Sequence, residues 1–236
     1  MKKSIFDIKT EDEYLNCKDE IDINEVDELG SSALFFADYG TNYGKSEWLI
    51  KNGIDIHIVN KSKQNALFFC EYEKAKLLIE HGINVTQVDV HYENALFRPV
   101  SKSDLDTCQL LINSKIDIQQ INIHGQNVVF NSSLKVLRLL LKHGIDINLI
   151  DKHGNNALMI LDSDLKDYLN IAKLLLRSGI SLEVFEKDAS KLNLAYSILV
   201  KEKIIECLVK KENKHINKNI NSNEHNLIDI SNRKRL

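Results

Sequence analysis

Apolar residues recur along the chain with the period of a helix, in short bursts separated by short extended loops. In Lys74-Ala75-Lys76-Leu77-Leu78-Ile79-Glu80-His81 and in Leu134-Lys135-Val136-Leu137-Arg138-Leu139-Leu140-Leu141-Lys142-His143, apolar positions fall at i, i+3, i+4 and i+7. That spacing predicts one buried stripe per helix. Ile171-Ala172-Lys173-Leu174-Leu175-Leu176-Arg177 repeats it. After each burst, isoleucine alternates with polar residues, as in Gly53-Ile54-Asp55-Ile56-His57, Gly82-Ile83-Asn84-Val85-Thr86 and Gly144-Ile145-Asp146-Ile147-Asn148. Further copies are Ile21-Asp22-Ile23-Asn24, Lys115-Ile116-Asp117-Ile118-Gln119 and Gly179-Ile180-Ser181-Leu182-Glu183. The polar residue of each copy stands at 22, 55, 84, 117, 146 and 181, so the steps are 33, 29, 33, 29 and 35. A period near 33 marks stacked repeats, in which no unit buries its apolar face without its neighbours.

A second marker keeps phase with the loops: Ser32-Ala33-Leu34-Phe35, Asn65-Ala66-Leu67-Phe68, Asn94-Ala95-Leu96-Phe97, Asn127-Val128-Val129-Phe130, Asn156-Ala157-Leu158-Met159 and the diverged Asn193-Leu194-Ala195-Tyr196. An Asn or Ser before an apolar run predicts an N-cap, its side-chain oxygen accepting a backbone N–H of the first turn. Gly53, Gly82, Gly144 and Gly179 then end the second helix of each unit in the left-handed conformation. Lys115 takes that slot in one repeat, which predicts a strained cap there. From Ala33 to Gly53 and from Ala95 to Lys115 there are 20 residues, but from Ala66 to Gly82 and from Val128 to Gly144 only 16. The four missing residues, about one helical turn, must come from the first helix or its turn, because the second-helix stripe is intact. Full and shortened repeats therefore alternate and should leave a notched inner face.

Helix, turn, helix, glycine and an alternating Ile-x-Ile loop together resemble the ankyrin repeat. That family's T-P-L-H-x-A appears as Asn-Ala-Leu-Phe, and its G-A-D-V-N-x-x-D-x-x-G as Gly144 to Gly154, over about residues 20 to 210. The Thr-Pro dipeptide is missing throughout, Pro99 being the one proline, so the start of each first helix is less firmly fixed. Shortened Asn-Ala-Leu-Phe repeats are similar to those of bacterial ankyrin proteins. The resemblance implies an all-α solenoid of about six helix-turn-helix repeats with β-hairpin-like fingers, acting as a non-enzymatic protein-binding scaffold.

Composition places ends on this array. Nine acids and one base, Lys18, lie between Glu11 and Glu28, whereas seven Lys or Arg face three acids from Lys210 onward. We expect an acidic N-terminal cap over 1–28, repeats over 29–210 and a basic, Asn- and Lys-rich, frayed tail over 211–236. Thr10-Glu11-Asp12-Glu13 matches a capping box and should open a helix to about Lys18. No apolar stretch follows Lys2-Lys3, which argues against a Sec-type secretory signal, and no apolar run reaches membrane-span length. Cys17, Cys70, Cys108 and Cys207 form no C-x-x-C pair and read as reduced thiols of a cytoplasmic protein.

Catalytic and nucleotide-binding motifs are absent, and no cofactor or metal is expected. His91, His124 and His153 line up along the hairpin tips, but neighbouring repeats stand about 8–10 Å apart, too far to share one metal ion. His81 and His143 precede capping glycines and suit a helix C-terminus. Phe35, Phe68, Phe97 and Phe130, continued by Met159 and Tyr196, form a ladder expected in the core. Phe36, Phe69, Tyr39, Tyr43 and Tyr72 fall near the helix-turn side and are expected on the inner face. Of these, Tyr39, Tyr43, Phe69 and Tyr72 are the candidate central contacts for a partner, with Glu25, Asp27 and Glu28 as rim charges. The expected partner is another protein; the acidic front and sequence pI near 6.2 argue against nucleic acid despite Arg233-Lys234-Arg235, and the unbound chain should be a monomer. By resemblance, a short bacterial-type ankyrin chain is similar to immunity proteins that neutralise a cognate toxin. An effector delivered into a eukaryotic host cell is the alternative.

Overall fold

A computed structural model describes residues 3–38, 44–161 and 167–184. The chain divides into two units, Met1–Ser178 and Gly179–Leu236, and only 179–184 of the second are described. The sixth marker at 193–196, Cys207 and the basic tail lie outside the described residues.

The first unit opens with a 3-10 turn, Ile5–Asp7, and helix α1, Glu11–Leu15. Thr10 Oγ1 accepts the Glu13 N–H as expected, and the Glu13 carboxylate accepts the Lys9 N–H. The helix stops at Leu15 instead of running to about Lys18, and Lys18–Glu20 form a separate 3-10 turn. Asn16 and Cys17 are weak helix formers, and the three acids at 11–13 favour only a first turn.

Five second helices follow: α3 (Lys45–Lys51), α4 (Tyr72–Glu80), α6 (Leu105–Asn113), α7 (Leu134–Lys142) and α8 (Tyr168–Arg177). Leu49, Leu78, Leu111, Leu140 and Leu175 stand four residues before the capping position in each and are all fully buried. Burial of each such leucine contributes about 1.5–3 kcal/mol. The first helices differ as the spacing predicts. In the longer repeats they are α-helical, α2 (Ala33–Phe36) and α5 (Phe97–Ser101); in the shortened ones they are 3-10 turns, Ala66–Phe69 and Val128–Asn131.

The marker asparagines do two jobs. Oδ1 of Asn65, Asn94 and Asn127 accepts the N–H of Leu67, Leu96 and Val129. Their Nδ2 groups donate to the carbonyls of Asn84, Asp117 and Asp146, at 2.8, 2.7 and 2.7 Å. Those partners lie 19, 23 and 19 residues onward, so the brace joins the same two places in long and short repeats. Ser32 is too short to reach, and its buried Oγ has no partner.

The fingers are tight turns rather than strands, with isolated antiparallel bridges at Val26–Ser32 and Val88–Asn94 among the described residues. Asp27, Asn60, Asp89, Asn122 and Asp151 each hold a tip: Oδ1 accepts the N–H groups two and four residues on. Consecutive tips are tied by backbone bonds, Lys61 N to Leu29 O, Val90 N to Ser62 O, Ile123 N to His91 O and Lys152 N to His124 O. His91 and His124 thus serve the ladder through their backbone carbonyls, and the His153 N–H serves its own tip through Asp151. Among the described residues no three potential ligands gather around a metal position.

Candidate functional site

The four-residue deletion in the repeat that starts at Asn65 leaves a cleft between its neighbours. Its 3-10 turn ends at Cys70 in extended backbone and passes directly into α4 at Tyr72. The neighbouring repeats run further: α5 extends to Ser101 on one side, and the chain continues past Ala37 to Asp38 on the other. Between them opens a cleft of about 380 Å³ with Phe69, Cys70 and Tyr72 at its base and Ala37, Asp38, Arg98 and Pro99 among its walls.

Its side chains are held by specific bonds. Lys74 is buried, and its Nζ donates to Phe35 O at 3.2 Å and Ala37 O at 3.0 Å, closing the end of α2. Burial pushes its amine below the usual lysine range, against the opposing pull of Cys70 and Asp38. Arg98 places its guanidinium 5.4 Å from the Phe69 ring centroid and donates to Phe68 O at 3.4 Å. Phe69 in turn meets Phe35, with ring centroids 5.7 Å apart. Asp38 sits in the left-handed region at φ 65° and accepts the Ser46 N–H at the start of α3. Asp104 caps α6 through Thr107 N and Oγ1. Cys70 donates to Ala66 O, and burial pushes its thiol up to about 12, so it is no nucleophile at neutral pH.

Of the aromatics expected to meet a partner, Phe69 and Tyr72 come together in this cleft, Phe69 half-buried and Tyr72 38% exposed. Tyr39 and Tyr43 lie outside the described residues. Phe36 is 49% exposed and stands edge-on to Phe6. Phe35, Phe68 and Phe130 are core residues as the ladder requires, whereas Phe97 and Met159 are half-buried.

The acidic trio does not line the cleft. Glu25 accepts from Ser4 Oγ at 2.9 Å and Ile5 N at 3.3 Å, which anchors the N-terminal turn, and Asp27 holds the first fingertip. Glu28 is exposed. Sequence reasoning missed Arg98, Pro99, Lys102 and Asp104 as lining residues. The signal was there: walls of a notch must come from the longer repeat that follows the deletion.

Residues 34–122 match the family model for ankyrin repeats, in three copies. This stretch of the chain is built of ankyrin repeats. Among solved structures, an ankyrin repeat domain from Acinetobacter baumannii is similar to it at 23% identity, with a TM-score of 0.57 over 67% of this chain and 87% of that one. No curated protein matches. Ankyrin repeats are in general protein-binding scaffolds and typically not enzymes. No helix among the described residues is long and apolar enough to cross a membrane.

Proposed function

We propose that this chain binds another protein through the first-helix side of its stack, with Phe69 and Tyr72 at the centre of the contact. One observation carries this reading: two half-exposed aromatics stand at the base of a cleft whose walls are held by the intramolecular bonds of Asp38, Lys74, Arg98 and Asp104. Such a preformed site binds without a large ordering cost. Tyr39 and Tyr43 join the contact by their place in the chain, and Glu25, Asp27 and Glu28 supply electrostatics at the acidic end.

The finer reading is an immunity protein that neutralises a cognate toxin in the cytoplasm of the producing cell. The surplus of acid between Glu11 and Glu28 supports it, since toxins directed at nucleic acid tend to be basic and opposite charge speeds encounter. The alternative is an effector that binds a protein of a eukaryotic host.

A photo-crosslinking amino acid placed at position 72 in producing cells tests the scaffold, with the exposed α7 position Lys135 as control. The expected product is one protein joined through position 72 and not through 135, which then binds the purified chain and loses affinity on Tyr72→Ala. Equal capture at both positions overturns the reading. A captured protein that kills cells lacking this chain favours immunity; a host protein favours the effector.

A further inference from the structure

We propose that the cleft receives an arginine flanked by an apolar residue from the partner, an inference that rests on the scaffold reading above. The reasoning starts from how the charges of the cleft are used. The ammonium of Lys74 is held by Phe35 O and Ala37 O, and the guanidinium of Arg98 by Phe68 O and the Phe69 ring. Asp38 is held by Ser46 N, and Asp104 by Thr107. That leaves Glu71, Glu73 and Lys102, all exposed, as the charges facing a ligand: two carboxylates against one ammonium.

Both carboxylates flank Tyr72 in the chain, so a cation entering over that ring has an acid on either side. The balance tips further toward the helix side. An adjoining cleft shares Asp38, Glu73 and Lys74 with the first and adds Glu47 and Glu80 against Lys76. An anion would therefore enter against four glutamates, whereas a cation is drawn along them. The base of the cleft is aromatic and Pro99 stands at its wall, which suits an apolar neighbour of the charged residue.

Arginine fits better than lysine for a geometric reason. A planar guanidinium can stack on Tyr72 and offer paired N–H groups to a carboxylate, whereas an ammonium is a compact, strongly hydrated point charge. The chain itself already shows this floor accepting a guanidinium, with Arg98 set against Phe69.

The test titrates the full chain with N-acetyl-arginine amide and with its neutral isostere N-acetyl-citrulline amide, followed by backbone amide chemical shifts. Shifts should concentrate at 69–74 and 98–104, with arginine bound about threefold or more tighter than citrulline. A Glu71→Gln/Glu73→Gln variant should lose that preference while its unfolding transition stays in place. Equal binding of the two probes, tighter binding of N-acetyl-glutamate amide, or shifts confined to other regions would overturn the proposal. A partner captured through position 72 together with no arginine preference sinks this inference alone. An arginine preference with no captured protein keeps the site and removes the scaffold reading.

Discussion

Nζ of Lys74 lies 3.0 Å from the carbonyl oxygen of Ala37, so a charge carried by one repeat closes the first helix of the repeat before it. Lys45, eight residues before Gly53 as Lys74 is before Gly82, does the same for the N-terminal turn, donating to Ile8 O at 2.6 Å. Further along, this slot is filled by Thr107, Val136 and Ile171. The early repeats thus place a buried ammonium group in this slot, the third a threonine whose hydroxyl bonds Asp104 within its own repeat, and the last two hydrocarbon; the cleft lies where the joint is an ammonium.

Removing that joint should be costly in spite of the desolvation it relieves. Lys74→Met keeps the stem but leaves Phe35 O and Ala37 O without their donor, and we expect a loss of about 1–3 kcal/mol in urea unfolding. Lys76→Met, exposed on the same helix, should stay within about 0.5 kcal/mol. A stabilised Lys74→Met would mean that the buried charge, not the lost bonds, dominates.

The caps offer a cleaner comparison. Lys115 has φ 63° and its N–H bonds Ile112 O, while the Ile116 N–H bonds Leu111 O. Gly144, at φ 78°, makes the matching pair through Leu141 O and Leu140 O. A Cβ at Gly144 would meet nothing within 4 Å, so any penalty there is conformational. Gly144→Val should cost about 1–2 kcal/mol or more by thermal unfolding, whereas Lys115→Gly should be neutral or stabilise by up to about 1 kcal/mol. Strong destabilisation by Lys115→Gly would show a side-chain role for that lysine beyond its backbone slot.

The phase of the helices, the caps and the four-residue deletion were legible because each is a local rule repeated in series: a leucine four residues before the cap, an isoleucine after it, an asparagine at the marker. The cleft was half legible. Phe69 and Tyr72 adjoin the deletion in sequence, but Arg98 comes from another repeat and reaches back over Phe69, a contact no local pattern encodes. Glu25 is the instructive case. Its charge suggested a rim contact, yet a carboxylate next to an N-terminal turn can be captured by that turn, as Ser4 and Ile5 capture this one.

The buried thiols give a pH dependence with a definite sign. Burial pushes the Cys108 thiol from an ordinary value of 9.0 up to about 12. A group whose pKa is raised on folding contributes stability that is whole below the unfolded value and is lost as pH rises toward the folded one. Between pH 8 and pH 10 the wild type should therefore lose about 1 kcal/mol relative to Cys108→Val, measured as the gap between their urea midpoints. Lys45 and Lys74, whose pKa values are lowered by burial, gain stability in the same alkaline window, which is why the comparison is made within one pair of variants. A constant gap would mean that the Cys108 thiol ionises in the folded protein as it does in the unfolded one.

Binding separates centre from rim. Tyr72 is exposed at the cleft base and carries none of the hydrogen bonds that hold the cleft together, so Tyr72→Ala should leave the unfolding midpoint nearly unchanged. It should weaken the partner complex by more than about 1 kcal/mol, mainly through faster dissociation, because a central aromatic contact is lost only after docking. Glu28 is exposed, so Glu28→Lys isolates the effect of charge: slower association with dissociation unchanged, fading as salt rises. Glu25→Lys should slow association too, but it also releases Ser4 and Ile5 and should lower stability, which Glu28→Lys should not. Stopped-flow association at two ionic strengths, run beside thermal unfolding, distinguishes the three. Should Tyr72→Ala and Glu28→Lys both leave the rates untouched, the binding surface lies on the second helices, and the assignment to the first-helix side fails.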